Sequence, residues 1–301
     1  MSFICPAQPG SAADTMRTLT FPEDQSYGSI YVAQDGWRPY RIGTAITNER
    51  YQARGTIKIE KGKRLWLVGN FALSEHMEIL KQLPPDALTK LDLGRLPIDG
   101  KSLANLKHLT SLQMLDLDQT DVDDQGMQYI KGLKNLEFLS LSRGLITGKT
   151  LSEISTLTKL KRLHIGHCEL IPQSLAVLIK LKALRYLHLG CTGLNDATLD
   201  YVKPLVNLVD LTVDGNKGIT DKGLAKLKQL KQLVFLDLVD DPKVTEAGLL
   251  GLKGVPLITL KVQKTGVNQL ALDKLKKCFP GCSIEIGGTG KYPSNFFAPL
   301  H

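Results

Sequence analysis

Leu88-Thr89-Lys90-Leu91-Asp92-Leu93 sets the pattern LxxLxL, and the rest of the chain repeats it. The same spacing returns at Leu112/Leu115/Leu117, Leu136/Leu139/Leu141, Leu160/Leu163/Ile165 and Leu184/Leu187/Leu189. It continues at Leu208/Leu211/Val213, Leu233/Leu236/Leu238 and Leu257/Leu260/Val262. Each step is 24 residues, except for 25 between Leu208 and Leu233. Such a period marks stacked supersecondary units. Leu65-Trp66-Leu67 and Ile284-Glu285-Ile286 read as weaker first and last copies.

Alternation within LxL gives a short strand with its leucines inward and the residues between them outward. A second motif follows: Val122-Asp123-Asp124-Gln125-Gly126-Met127, Ile219-Thr220-Asp221-Lys222-Gly223-Leu224 and Val244-Thr245-Glu246-Ala247-Gly248-Leu249. Its Thr or Asp is placed to cap a short helix by accepting from a free backbone N–H of the first turn. That helix carries apolar residues at helical spacing, as at Leu224/Leu227/Leu230. One unit cannot bury both its strand and its helix leucines, but stacked units can.

The whole unit resembles the bacterial leucine-rich repeat proteins related to the cysteine-containing subtype. The resemblance covers residues 65–286, although most units lack the characteristic Cys. It implies an α/β solenoid with a parallel sheet on the concave face, short helices on the convex face, and the role of an interaction scaffold with no catalytic residue to carry over. The division expected is a disordered 1–14, a β-rich N-terminal cap over 15–64, repeats over 65–286 and a tail over 287–301. Residues 17–33 and 54–67 supply the alternating runs of the cap, with Trp37 or Trp66 helping to seal the first repeat, because an open solenoid end exposes leucines. The tail is expected to fold back over the last repeat.

The outward strand positions form three columns. The first is Lys90, Met114, Phe138, Arg162, Tyr186, Asp210, Phe235 and Thr259; the second is Asp92, Asp116, Ser140, His164, His188, Thr212, Asp237 and Lys261. The third is Gly94, Asp118, Ser142, Gly166, Gly190, Asp214, Val239 and Gln263. Met114, Phe138, Tyr186 and Phe235 are expected as exposed anchors, since aromatics near Arg are common binding hot spots. Asp116, Asp118, Asp210, Asp214, Asp237 and Asp240 make the flanks acidic around Arg162, His164, Arg185 and His188. A protein or peptide partner, preferably basic, fits this face better than nucleic acid, whose phosphates the aspartates would repel. The net charge of +8 on 301 residues does not by itself point to nucleic acid. Lys107, Lys131, Lys203 and Lys228 recur where the helix side turns toward the next strand, and read as a solubilising outer face.

No cofactor or metal is expected. His164 and His188 stand at equivalent positions of adjacent repeats, which raises a metal-binding protein or metal-dependent hydrolase as the alternative, yet Thr212 follows them where a third ligand would be needed. Gly148-Lys149-Thr150 and Gly290-Lys291 lack the glycine spacing of a phosphate loop, and no HExxH or nucleophile elbow occurs. Catalysis is not expected. No run approaches the roughly 18 apolar residues of a membrane span. The first residues lack a basic start with an apolar core, and Cys5 has no lipobox, so a cytoplasmic monomer with reduced thiols is expected. Export after removal of a signal, and a structural envelope role, are the alternatives.

Overall fold

The computed structural model describes residues 15–33 and 46–287. The expected disorder of 1–14, the sealing role of Trp37 and the path of the tail beyond 287 lie outside the described residues.

The repeat produces one short strand per period. These are β5 (Leu65–Gly69), β6 (Lys90–Asp92), β7 (Met114–Asp116), β8 (Phe138–Ser140), β9 (Arg162–His164), β10 (Tyr186–His188), β11 (Asp210–Thr212), β12 (Phe235–Asp237), β13 (Thr259–Lys261) and β14 (Ser283–Glu285). All pair in parallel with their sequence neighbours, and the register is that of the repeat: Leu67 faces Leu91, Leu91 faces Leu115, and so on to Leu260 against Ile284. The weak copies at Trp66 and Ile284 are therefore true rungs. The inward residues Leu91, Leu115, Leu139, Leu163, Leu211, Leu236 and Leu260 are fully buried. Each such side chain contributes about 1.5–3 kcal/mol relative to exposure.

Opposite the sheet run short helical pieces, many of them 3-10 turns, as at Leu151–Thr156 and Pro172–Lys180. Parallel strands stand about 4.8 Å apart, while even a slim helix with side chains needs about 10 Å. The stack therefore bends with the sheet inside.

The helix-start motif carries more than the cap read from sequence. Thr220 and Thr245 each accept from the backbone N–H two residues on, and Asp123 does the same. The following Asp works across repeats. Asp196 accepts from the backbone N–H and hydroxyl of Thr220, and Asp221 from the same two groups of Thr245. A Cβ at Gly223 would run into the Asp196 carboxylate, and one at Gly248 into that of Asp221. Thr caps its own helix, Asp ties to the next unit, and Gly makes room for the Asp before it.

The N-terminal strands are β1 (Met16–Thr20), β2 (Gly28–Ala33), β3 (Ile46–Gln52) and β4 (Thr56–Glu60). β1 pairs with β4 as a separate antiparallel ribbon, whereas β2 adds antiparallel to β5 and β3 to β2. The main sheet thus continues past the first repeat by reversing strand direction. Leu19, Phe21, Tyr27, Ile30, Ile57 and Ile59 join the core and close its end. Trp66 does not seal this end as expected. It lies at the first-column position, so its ring points to the sheet's inner face, with Lys90 Nζ 3.4 Å from its centroid and the Tyr31 ring 5.3 Å away.

At the other end Cys278 and Cys282 are separate thiols. Burial raises both pKa values, that of Cys282 to about 11.

Candidate functional site: the inner face of the sheet

The three columns stand on the inner face in the expected register: Met114 beside Phe138, Phe138 beside Arg162, Tyr186 beside Asp210, and His164 beside His188. Their exposure differs from expectation. Met114 and Phe138 are each 1% exposed, so neither is an open anchor. Arg162 and Asp237 are also buried, while Asp116, His164, Tyr186, His188, Asp210 and Phe235 are partly buried. Side chains in one column stand only about 4.8 Å apart, so long ones lie across their neighbours. Phe138 meets the His164 ring edge-on at 5.2 Å, the Arg162 guanidinium sits 4.2 Å from the Tyr186 ring centroid, and Lys261 Nζ is 5.4 Å from that of Phe235.

Small third-column residues decide where such side chains can fold down. A Cβ at Gly166 would crowd the His188 imidazole, and one at Gly190 would overlap the Asp214 carboxylate. His188 Nε2 lies 3.8 Å from Asp214 Oδ1 over this floor. Burial pushes the His188 pKa down, and that of His164 well down, so both rings are neutral at physiological pH. The His164 and His188 centroids are 5.7 Å apart and nearly perpendicular, and His167 stands 6.4 Å from His188. Among the described residues no group of three His, Cys, Asp or Glu side chains is placed to hold a metal ion.

Toward the N-terminal end the face opens into a recess of about 510 Å³. Its lining holds the small residues Ser140, Ser142 and Gly94, the rings of Trp66, Phe138, His164 and His167, and the charged Asp92, Asp116, Asp118, Arg95 and Arg143. Arg143 reaches Asp118 at 3.7 Å, and Lys90 stands 4.0 Å from Asp92. Burial lowers Lys90 to about 8. Burial, then the Asp92 charge, raises Asp116 to about 6.

The acidic C-terminal flank is weaker than its residue count suggests. Asp210 is raised to about 7 and Asp237 to about 6, burial being the main cause in each. Lys261 lies 3.6 Å from Asp237.

Sequence reasoning missed a fourth row: Arg95, Gln119, Arg143, His167, Cys191, Asp240 and Lys264 share a left-handed backbone with φ between 54° and 66°. Each sits two residues after the last leucine-type position of its repeat, a recurrence visible in the 24-residue step. Several form the rim of the recess. In the next position Cys168 donates to a backbone carbonyl, as Thr120, Thr192, Asn216 and Thr265 do in theirs. Hydroxyls and an amide thus play in four repeats the part that the Cys168 thiol plays in its own.

No family model matches the sequence, and no curated protein matches it. The fold does match solved structures. Internalin C2 of Listeria monocytogenes superposes with a TM-score of 0.54 at 20% identity, over 67% of this chain and 82% of that one. An internalin F of the same species gives a TM-score of 0.43 at 15% identity, covering 74% of this chain and 78% of its own. A leucine-rich repeat protein of Leptospira interrogans gives 0.45 at 21% identity, covering 69% and 62%. The chain has the leucine-rich repeat solenoid fold that it shares with internalin C2.

Proposed function

We propose that the chain is a non-enzymatic scaffold that holds a protein or peptide, preferably a basic one, on the inner face of its sheet. The observation that carries this reading is the recess over Ser140 and Ser142, bordered by three aspartates and open to solvent. A solenoid built only to stack has no need of a gap amid long side chains. The recess is large enough for one or two side chains of a partner, and its Asp92 and Asp118 carboxylates suit an ammonium or guanidinium. The N-terminal half is therefore the favoured docking region. Asp210, Phe235 and Asp237 contribute less, because they are engaged with one another and with Lys261. A cytoplasmic monomer remains the proposed setting.

The rim pair Asp118 and Arg143 tests this without disturbing the core, since their side chains are 25% and 48% exposed. Asp118→Lys should weaken binding of a labelled Lys/Arg-rich peptide about tenfold, measured by fluorescence anisotropy, with an unchanged melting curve. Equal binding of basic and acidic peptides, or a variant that binds as well as the parent, would sink the proposal.

A further inference from the structure

The lysines where the helix side turns toward the next strand form a second surface, away from the inner face. Directly after the buried residues Leu178, Val202 and Leu227 of their helical pieces, and after Leu252 in the turn that follows Glu246–Leu250, come Ile179, Lys203, Lys228 and Lys253. Two residues before Leu184, Leu208 and Leu233 come Lys182, Val206 and Lys231. All seven side chains are exposed, Ile179 by 42% and Val206 by 52%.

The turns that carry them are stacked. Asn207 donates to the Lys182 carbonyl at 3.0 Å, Gln229 to that of Lys203 at 2.8 Å, and Lys231 Nζ lies 3.4 Å from that of Gly254. Lys203, Lys228 and Lys231 border one shallow groove. Across segments 179–184, 200–207, 225–232 and 250–258 the sequence holds a single carboxylate, Asp200, and Lys226 occupies it at 2.7 Å. The positive charge of these turns is therefore not neutralised from within.

We propose that this face docks on an anionic lipid surface. A polybasic face is drawn to acidic headgroups, and exposed aliphatic side chains beside the lysines can enter the headgroup boundary. The aliphatics decide between membranes and nucleic acid. A single-strand binder presents arginines and stacking aromatics, whereas these segments contain no arginine, and their one ring, Tyr201, packs against the core. Ile179 and Val206 occupy positions where neighbouring repeats carry lysine, so each row mixes charge with apolar surface. The proposal concerns contact with a membrane surface: no described helix is long and apolar enough to span one.

Co-sedimentation of the full chain with vesicles tests this. Phosphatidylcholine vesicles should leave it in solution, and vesicles containing phosphatidylglycerol should pellet it, with loss at high salt. The triple variant Lys203→Glu, Lys228→Glu, Lys231→Glu should lower partitioning roughly tenfold or more. Ile179→Ser with Val206→Ser should lower it several-fold and leave binding to a single-stranded DNA oligonucleotide unchanged. Circular dichroism checks folding of both variants. Failure to pellet with anionic vesicles overturns the proposal. So does a serine variant that partitions like the parent, which would mark the face as a site for polyanions in general.

Discussion

Between β5 and β9 the inner face leaves room above Ser140, Ser142 and Gly94. Between β9 and β13 long side chains lie across it: Arg162 on Tyr186, and Lys261 beside Phe235 and Asp237, with Asp210 near both cations. Both halves come from one repeat with one register, so the backbone does not set this difference. Residue size and charge order do. In the first half, small residues in columns two and three interrupt the stacking. In the second, the long cations Arg162 and Lys261 lie against the Tyr186 and Phe235 rings, with Asp237 beside Lys261. An open face can receive a partner more readily than one whose long side chains already lie against one another.

The largest expected effect separates the halves by stability. Asp237→Ala removes the carboxylate that stands 3.6 Å from the buried Lys261 ammonium, which should cost about 3 kcal/mol. Asp92→Ala removes a carboxylate that is 27% exposed and 4.0 Å from Lys90, whose charge also rests on Trp66. That change should cost about 1 kcal/mol. Chemical denaturation measures both, and equal costs would mean that the two halves are filled alike.

A smaller effect concerns pH. Asp210, Asp237 and Asp241 in the second half, and Asp116 in the first, all titrate above the usual carboxylate value in the folded chain. As pH rises the unfolded chain loses these protons first, so the stability they contribute is complete below about 4 and is lost as pH climbs through the folded values. Asp241 is raised furthest, to about 8, mainly by burial. One of its oxygens accepts from the Asn216 backbone, and the other has no hydrogen-bond partner among the described residues. At the equivalent position of neighbouring repeats, Thr192, Asn216 and Thr265 donate to the carbonyl three residues back. Asp241→Asn keeps the acceptor and supplies that donor. It should stabilise the protein by at least about 1 kcal/mol near pH 8, give little near pH 4, and exceed the gain from Asp116→Asn. Thermal melts across this range would show it, and an unaltered pH slope would refute it.

The 24-residue step made the fold readable, because leucine spacing determines which residues face the core and which strands pair. The three columns followed from alternation alone. Exposure along those columns did not, since it depends on neighbours a full period away. Phe138 looks like a free aromatic in its own repeat and is buried among neighbours from adjacent repeats, with Met114 and Arg162 on either side and the His164 ring edge-on to it. The recess was illegible for the same reason: Ser140 and Ser142 appear unremarkable until Asp92, Asp116 and His164 are ranged around them. The Asp196–Thr220 and Asp221–Thr245 ties also join separate repeats, although the helix-start motif that supplies Thr220, Asp221 and Thr245 was in plain view.

The last and smallest effect reports on the open half directly. Lys90 is buried against the Trp66 ring and titrates at about 8. Burial lowers its pKa, so between roughly pH 8 and 10.4 the unfolded chain holds a proton that the folded chain has released, and stability rises across that window. Loss of the ammonium also removes the cation from above the indole. In a Trp37→Phe background, Trp66 fluorescence should therefore change with a midpoint near 8, by an interaction worth about 1 kcal/mol. Lys90→Met should abolish the titration and keep the ring covered. A basic peptide seated beside Asp92 would place a second cation near Lys90 and shift the midpoint downward. The same titration then distinguishes a ligand in the recess from one bound over β10–β13, where Trp66 would not sense it.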